Sequence, residues 1–369
     1  MAEFYMGSRA VGDNHPALII AEAGINHDGH LARAIQLIDR AADAGADAVK
    51  FQLFRPDRMY APAPGLYTTA RGDRRPIEAI IRSAAMPVDW IPQLIARCRE
   101  RGVLFLSSVC DEDSARALRR FRPVAYKIAS YELNHLPLLR QVAGWGKPIL
   151  LSTAGARLSE VEEAFRTVAE NGAGPLALMH CVASYPAPLE ASRLAILGTL
   201  KRAFPEAVIG FSDHSLDPVA APCAAVALGA KIIEKHFTVD KTLPGADHSF
   251  ALSPAELTEM VRGIRNTETA LRRGEKPAVA SLLLGSSAKR PLKIEQSLRN
   301  FAFRGIFTTA PIRRGERLSA ANLAVLRPGE RLQGLHPRYW PLLTGGVIAV
   351  RDIPAGRGLV WDDVLRRER

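Results

Sequence analysis

The feature that most limits what this chain can fold into is a repeat. Short apolar runs rich in β-branched residues recur through the first 240 residues, each followed by a polar turn and a segment of helical period. The runs are Leu18–Ala23, Ala48–Gln52, Val103–Ser108, Ala125–Ser130, Pro148–Thr153, Leu176–Cys181, Val208–Asp213 and Ile232–Phe237. The intervening segments, such as HLARAIQLIDRAADAGA, place apolar residues at i, i+3, i+4 and i+7 and stop at Gly. Eight βα units in about 250 residues predict a (β/α)8 barrel. An open doubly wound sheet is the alternative fold, but no GxGxxG turn follows the first run.

The barrel is expected over residues 1–276, with a linker rich in Gly, Ser and Pro over 277–299. Residues 300–369 show short strand signals and tight turns (FTTAPIRRGERL, DIPAGRGL) and no long amphipathic helix, which predicts a small, mostly β domain. The stretch Phe54 to Pro87, rich in Pro, Gly and Arg, reads as a long loop over one end of the barrel. Charge also divides the chain. Residues 286–369 hold 16 Lys or Arg against 7 Asp or Glu, so +9 of the formal +11 lies there. That excess invites a nucleic-acid reading, yet the segment lacks interleaved aromatics and any recognised reader motif.

Other classes are excluded more simply. The longest nearly uninterrupted apolar stretch, Val219 to Ala230, is twelve residues and contains Pro222 and Gly229, too short to span a bilayer. The N-terminus carries Glu3 and Asp13 and has no apolar signal core, so a cytoplasmic address is expected. Four cysteines without a CxxC pair predict reduced thiols.

Polar residues gather where a barrel keeps its chemistry, at the carboxyl ends of the strands. Glu22, Lys50, Gln52, Ser108, Lys127, Ser130, Ser152, Ser212, His214, Glu234 and His236 all fall there. Lysine is scarce in this chain, ten residues against 39 arginines, yet Lys50, Lys127 and Lys235 lie within strands. A buried ammonium needs an anionic partner. For one lysine a structural ion pair is an adequate explanation; Lys50 and Lys127 beside several hydroxyls point to a phosphate or carboxylate ligand. His214 and His236 end adjacent strands and can share one divalent cation, or serve as ordinary hydrogen-bonding residues. Glu22 is a candidate acid or base.

At this point the residues resemble a known family. IIAEAGINHDGHLARAIQLIDRAADAGADAVKFQ is similar to the opening of the sialic acid (N-acetylneuraminate, legionaminate or pseudaminate) synthase family, and FLSS, AYKIAS, LSTAG, HCVASYPAP, GFSDHS, EKHFT and PGADHSFALSP follow in the family's order. GIFTTAPIRRGERLSAANLAVLRPG with DIPAGRGL resembles its C-terminal SAF, or antifreeze-like, domain. The resemblance implies a cytoplasmic transferase of carbohydrate biosynthesis that condenses phosphoenolpyruvate with an N-acylated hexosamine aldehyde and releases phosphate. It implies that Lys50, Ser108, Lys127, Ser130, Ser152 and Ser212 hold phosphoenolpyruvate, and that His214 and His236 hold Mn2+ or Mg2+. Glu22, Gln52, Tyr185 and Asp247 are then expected to face the acceptor and the attacking water. Arg304 is expected to reach the site of a neighbouring subunit in a domain-swapped homodimer, with neither nucleic acid nor membrane as partner. The chain departs from the family pattern at Ala183, at Gly305, and at Val109 and Cys110 after Ser108. A metal-dependent barrel aldolase or isomerase would also use the lysines and the His pair, but leaves the C-terminal module without a role.

Overall fold

In a computed structural model of the chain, which describes residues 2–69, 72–172 and 174–365, all eight runs form strands of one closed parallel barrel. The strands are β1 (Leu18–Gly24), β2 (Ala48–Leu53), β3 (Leu104–Val109), β4 (Tyr126–Ile128), β5 (Ile149–Ser152), β6 (Leu176–Cys181), β7 (Val208–Asp213) and β8 (Ile232–His236). β8 closes on β1 through Ile232↔Leu18 to His236↔Glu22. β4 is cut to three residues because the chain leaves the sheet in a tight 3-10 turn, Ser130–Glu132.

Side chains alternate, so one face of each strand fills the barrel. Deep inside, Leu18, Ile20, Leu106, Leu150, Met179 and Ile232 form an apolar layer. Two residues further along, the inward position turns polar on seven of the eight strands, β6 keeping Cys181, and this single step in the period of two builds the site. Gly210 is required in that interior: a Cβ there would stand 2.3 Å from Met179 Sδ. Outward positions pack on the surrounding helices. Lys235 is among them, buried in an ion pair with Asp213 and donating to the Ser215 carbonyl at 2.6 Å, so of the three strand lysines it belongs to the wall. The helix that follows β8, Pro254–Arg272, starts at a capping box in which Ser253 and Glu256 each accept the other's backbone N–H.

The opening residues, in which no element was expected, form an antiparallel hairpin, Glu3–Met6 with Arg9–Gly12. Phe4, Met6 and Val11 are buried against the deep apolar layer, so the hairpin covers the amino end of the barrel. Each such side chain contributes about 1.5–3 kcal/mol by leaving water.

The C-terminal unit has its own apolar core, with Ile306, Leu318, Val325, Ile353 and Leu359 at its centre, and one antiparallel pair, Gly305–Thr308 with Leu323–Leu326. Residues 277–299, read as a linker, run as a strap fixed to the barrel. Arg193 donates to the carbonyls of Ser286, Ala288 and Arg290, and Lys289 donates to that of Thr153. Glu295 accepts the backbone N–H groups of Gly155 and Ala183 from two different barrel loops. Burial pulls the Lys289 ammonium down to about 8. No helix among the described residues is long and apolar enough to cross a membrane.

Candidate active site

The polar step of the interior places Glu22, Lys50, Ser108, Lys127, Ser152, Ser212 and Glu234 at one depth. Strand register fixes who meets whom: Glu22 lies opposite Lys50, Ser108 opposite Lys127, and Ser212 opposite Glu234. Lys50 pairs with Glu22 at 2.5 Å and donates to Ser108 Oγ at 3.1 Å. Lys127 donates to Ser152 Oγ at 2.6 Å. Glu234 stands between the lysines, 3.7 Å from Lys50 and 3.8 Å from Lys127, and accepts from Ser212 at 3.2 Å. Two ammonium groups face two carboxylates, and all four side chains are buried.

The electrostatics of this quartet are uneven. Burial, helped by the charge of Glu234, holds the Glu22 carboxyl above its ordinary range despite Lys50. For Glu234 burial is outweighed by Lys127 and Lys50, which hold it ionised and below the usual range. Burial likewise works against Lys50, but Glu22 and Glu234 leave it firmly protonated. Lys127 has only Glu234 close by, and burial draws it below its ordinary value. An anion bound beside Lys127 would therefore gain most from this layer.

Above the layer opens a cavity of about 1040 Å3, counted with its mouth. His214 and His236 stand on its wall with ring centroids 5.5 Å apart, and Tyr185 lies 4.2 Å from the His214 ring. Burial holds both imidazoles neutral, His214 at about 4 and His236 well below its ordinary value. His214 bonds the Val182 carbonyl through Nδ1 at 2.7 Å, which assigns the proton to that nitrogen and leaves Nε2 with a lone pair. His236 Nδ1 is buried without a hydrogen bond, 3.9 Å from Asp247 Oδ2. Burial, together with the charges of Glu22 and Asp28, raises the Asp247 carboxyl to about 7. Gln52 donates to Glu22 Oε1 at 3.0 Å. Ser130, at the wall, accepts from the Ala154 N–H at 3.0 Å.

Twelve of the residues singled out in the sequence thus line one cavity: Glu22, Lys50, Gln52, Ser108, Lys127, Ser130, Ser152, Tyr185, Ser212, His214, His236 and Asp247. Arg304 does not. It is fully buried behind the wall, where it bonds Glu132 at 3.1 Å and the carbonyls of Arg58, Cys110 and Val325, so its donors are already engaged. Among the described residues the arginine at the cavity is Arg327, which shares the same Glu132 oxygen at 2.5 Å and lies over the rings of Tyr60 and Tyr131. Within this one chain, residues of the C-terminal part also line the cavity. Leu298, Phe301, Ala302 and Arg327 close the cavity of their own barrel, because Glu132 and Asn134 at the end of β4 hold Arg304 and Arg327 in place.

Glu234, also picked out at the end of its strand, lines the same cavity. The sequence reading missed the rest of the wall. Ile77, Ile80 and Ile81 come from a helix, Ile77–Ala84, inside the segment taken as a loop, and Tyr60 and Tyr67 precede it. The IxxII spacing was the available signal.

Comparison with known proteins agrees with this geometry. The NeuB family profile matches residues 37–276, and the SAF domain profile matches residues 303–365. The spore coat polysaccharide biosynthesis protein SpsE of Bacillus subtilis is 60% identical over 368 residues, covering 100% of this chain and 99% of that one. Its crystal structure superposes with a TM-score of 0.91 over 100% of both chains at 58% identity. The N,N'-diacetyllegionaminic acid synthase of Campylobacter jejuni is 35% identical over 91% of this chain and 96% of its own. A sialic acid synthetase from Leptospira borgpetersenii, crystallised with citrate, is 34% identical over 76% of this chain and 93% of its own, with a TM-score of 0.66.

Proposed function

The chain belongs to the NeuB family, and from that premise we propose that it condenses phosphoenolpyruvate with the open-chain aldehyde of an N-acylated amino sugar, giving a nonulosonic acid and phosphate. The observation that carries this reading is the layer of two lysines and three hydroxyls at the floor of a one-mouthed cavity. Phosphate and carboxylate of the donor would lie on Lys127, Lys50, Ser108, Ser152 and Ser212, with Ser130 at the edge. Lys127, the least compensated cation, gains most from the incoming charge. Donors fixed before the substrate arrives need no reorganisation as charge shifts during reaction.

The enol carbon of the donor then forms the new bond to the aldehyde carbon, whose oxygen takes a proton and becomes a hydroxyl. Water adds at the former enol-ether carbon, and the bond to the phosphate oxygen breaks. Asp247, raised by burial to about 7, is suited to hold a proton near neutral pH, and burial also lifts Glu22 above its ordinary range. Asp247, beside the His pair, would serve the aldehyde oxygen; Glu22, tied to Lys50 and Gln52, would serve the water.

Among the described residues no three His, Cys, Asp or Glu side chains gather at metal-binding distances. Two neutral imidazoles, one with an orphaned buried nitrogen, nevertheless fit a divalent ion whose remaining positions fall to substrate and water. His214 and His236 would hold Mn2+ or Mg2+, which when bound supplies polarisation of the acceptor oxygen. The chain's own C-terminal residues line the cavity, which supports closure within one chain as part of this reading. A phosphoenolpyruvate donor and four unpaired cysteines support a cytoplasmic address as part of this reading.

The test is incubation of the purified protein with phosphoenolpyruvate and a panel of N-acylated amino sugars, with and without chelator. Phosphate release matched by a nine-carbon acid, and abolished by chelator, is expected. Failure to consume phosphoenolpyruvate with any acceptor overturns the reading.

A further inference from the structure

Two of the most distinctive motifs in the sequence have no place in the chemistry above. One is INHDGH, the turn that leaves β1; the other is PGADHSF, of which Asp247 alone brings a charge to the cavity. They lie 220 residues apart in the chain, and the fold brings them into contact.

Asp28 sits in the turn after β1 with φ 46°, a left-handed conformation that Asp tolerates better than most residues. This turns its carboxylate towards the loop after β8. His248 is fully buried there, with Nε2 2.9 Å from Asp28 Oδ2 and Nδ1 2.6 Å from Thr238 Oγ1. Arg33 steadies the carboxylate from the other side at 2.5 Å. The loop backbone passes directly over this pair. A Cβ on Gly245 would fall 2.3 Å from Asp28 Oδ1 and 2.6 Å from His248 Cδ2, so only glycine permits the crossing. A second tie runs alongside, Asn26 Nδ2 donating to the Phe237 carbonyl at 2.9 Å, next to His236. Asp247 follows in the chain between this anchored crossing and His248.

We propose that Asp28 and His248 are a positioning pair, whose hydrogen bond clamps the loop after β8 onto the turn after β1 and thereby sets where Asp247 stands beside the acceptor. Neither residue touches substrate. The inference rests on the reading above for the acceptor role of Asp247, but the clamp itself is a property of the loop. If the pair only stabilised the fold, its loss would weaken every function of the site alike. As a positioning device it acts on the acceptor side, and the donor layer, set by strand register, is unaffected.

The experiment compares His248→Ala, His248→Gln, Asp28→Ala, Asp28→Asn and the Asp28→Ala/His248→Ala double variant. His248→Ala should raise the acceptor KM about tenfold or more, since small misplacements of a positioned group are costly. Its phosphoenolpyruvate affinity by calorimetry should stay within about twofold of wild type, because no donor contact changes. His248→Gln can still donate to Asp28 and should recover most of the loss, as should Asp28→Asn, which keeps an acceptor oxygen and suits the left-handed turn. The double variant should be no worse than either single one, because both remove the same bond. Amide exchange over residues 244–250 should be faster in His248→Ala than in wild type, with β2 to β5 unchanged. Unchanged exchange, or an equal loss of donor and acceptor binding, overturns the clamp. If wild type consumes no phosphoenolpyruvate with any acceptor, the functional reading falls, and the exchange measurement still decides the clamp.

Discussion

The floor of the cavity and its lid are built in opposite ways. On the floor, each polar side chain meets a partner dictated by strand pairing: Lys50 faces Glu22 because β2 pairs with β1 in that register. In the lid, Arg327 reaches the cavity only because one buried carboxylate, Glu132, holds it together with Arg304 across a domain boundary. The floor follows from local geometry. The lid depends on one tertiary node, with two guanidinium groups on one oxygen and the other oxygen of Glu132 without a hydrogen bond. Position in the floor is therefore robust to change elsewhere, whereas position in the lid can be lost at a single residue.

The largest effect is expected at that node. Glu132→Gln keeps the shape and removes the charge, leaving two buried guanidinium groups uncompensated, which typically costs about 3–5 kcal/mol. Chemical denaturation should show that loss, and hydrogen exchange should place it at the boundary, in residues 300–330, ahead of the barrel strands. Loss spread evenly over the barrel would break the contrast.

A smaller effect separates floor from lid in function. Lys127→Met should weaken phosphoenolpyruvate binding by about 1.5–3 kcal/mol, the worth of a charged hydrogen bond, and leave the docking of the C-terminal domain intact. Arg327→Met should do the reverse, with donor affinity close to wild type and a higher acceptor KM. Calorimetry with the donor alone, set beside steady-state acceptor kinetics, distinguishes them; equal donor losses in both variants would merge the two regions into one.

The smallest effect is on the strap between them. Lys289 titrates at about 8 in the folded chain, against an ordinary 10.5. The unfolded chain therefore binds more protons between these values, so its contribution to stability is fully present above the upper value and is lost as pH falls towards the lower. The slope from this one group is at most about 1.4 kcal/mol per pH unit. Stability measured from pH 8 to 10.5 should rise less steeply in Lys289→Met than in wild type. An identical slope would show that the strap's lysine is not buried as a cation.

The same division explains what could be read from the sequence. The eight strands were legible because each must alternate or run apolar, and the floor because a polar residue two places after a buried one keeps facing inward. Twelve residues of the cavity came from that rule and from a family resemblance carried on short motifs. Arg304 came from the resemblance alone. Its true surroundings depend on Glu132 and on carbonyls at Arg58, Cys110 and Val325, contacts between segments far apart that no periodicity encodes. The hairpin at residues 3–12 escaped for another reason. Its EFYM and RAVG strands are four residues each and too short to show alternation, and their meaning appears only when a barrel end is present to receive Phe4 and Met6.

That hairpin has a consequence for traffic. A barrel sealed at its amino end has one door, so whatever lies on the floor was admitted first and whatever lies above it must depart first. On the proposed chemistry the donor enters before the acceptor. Phosphate, formed at the bottom, stays behind the nine-carbon acid until that larger product has left. The order of events in each turnover would then be written into the architecture rather than into relative affinities.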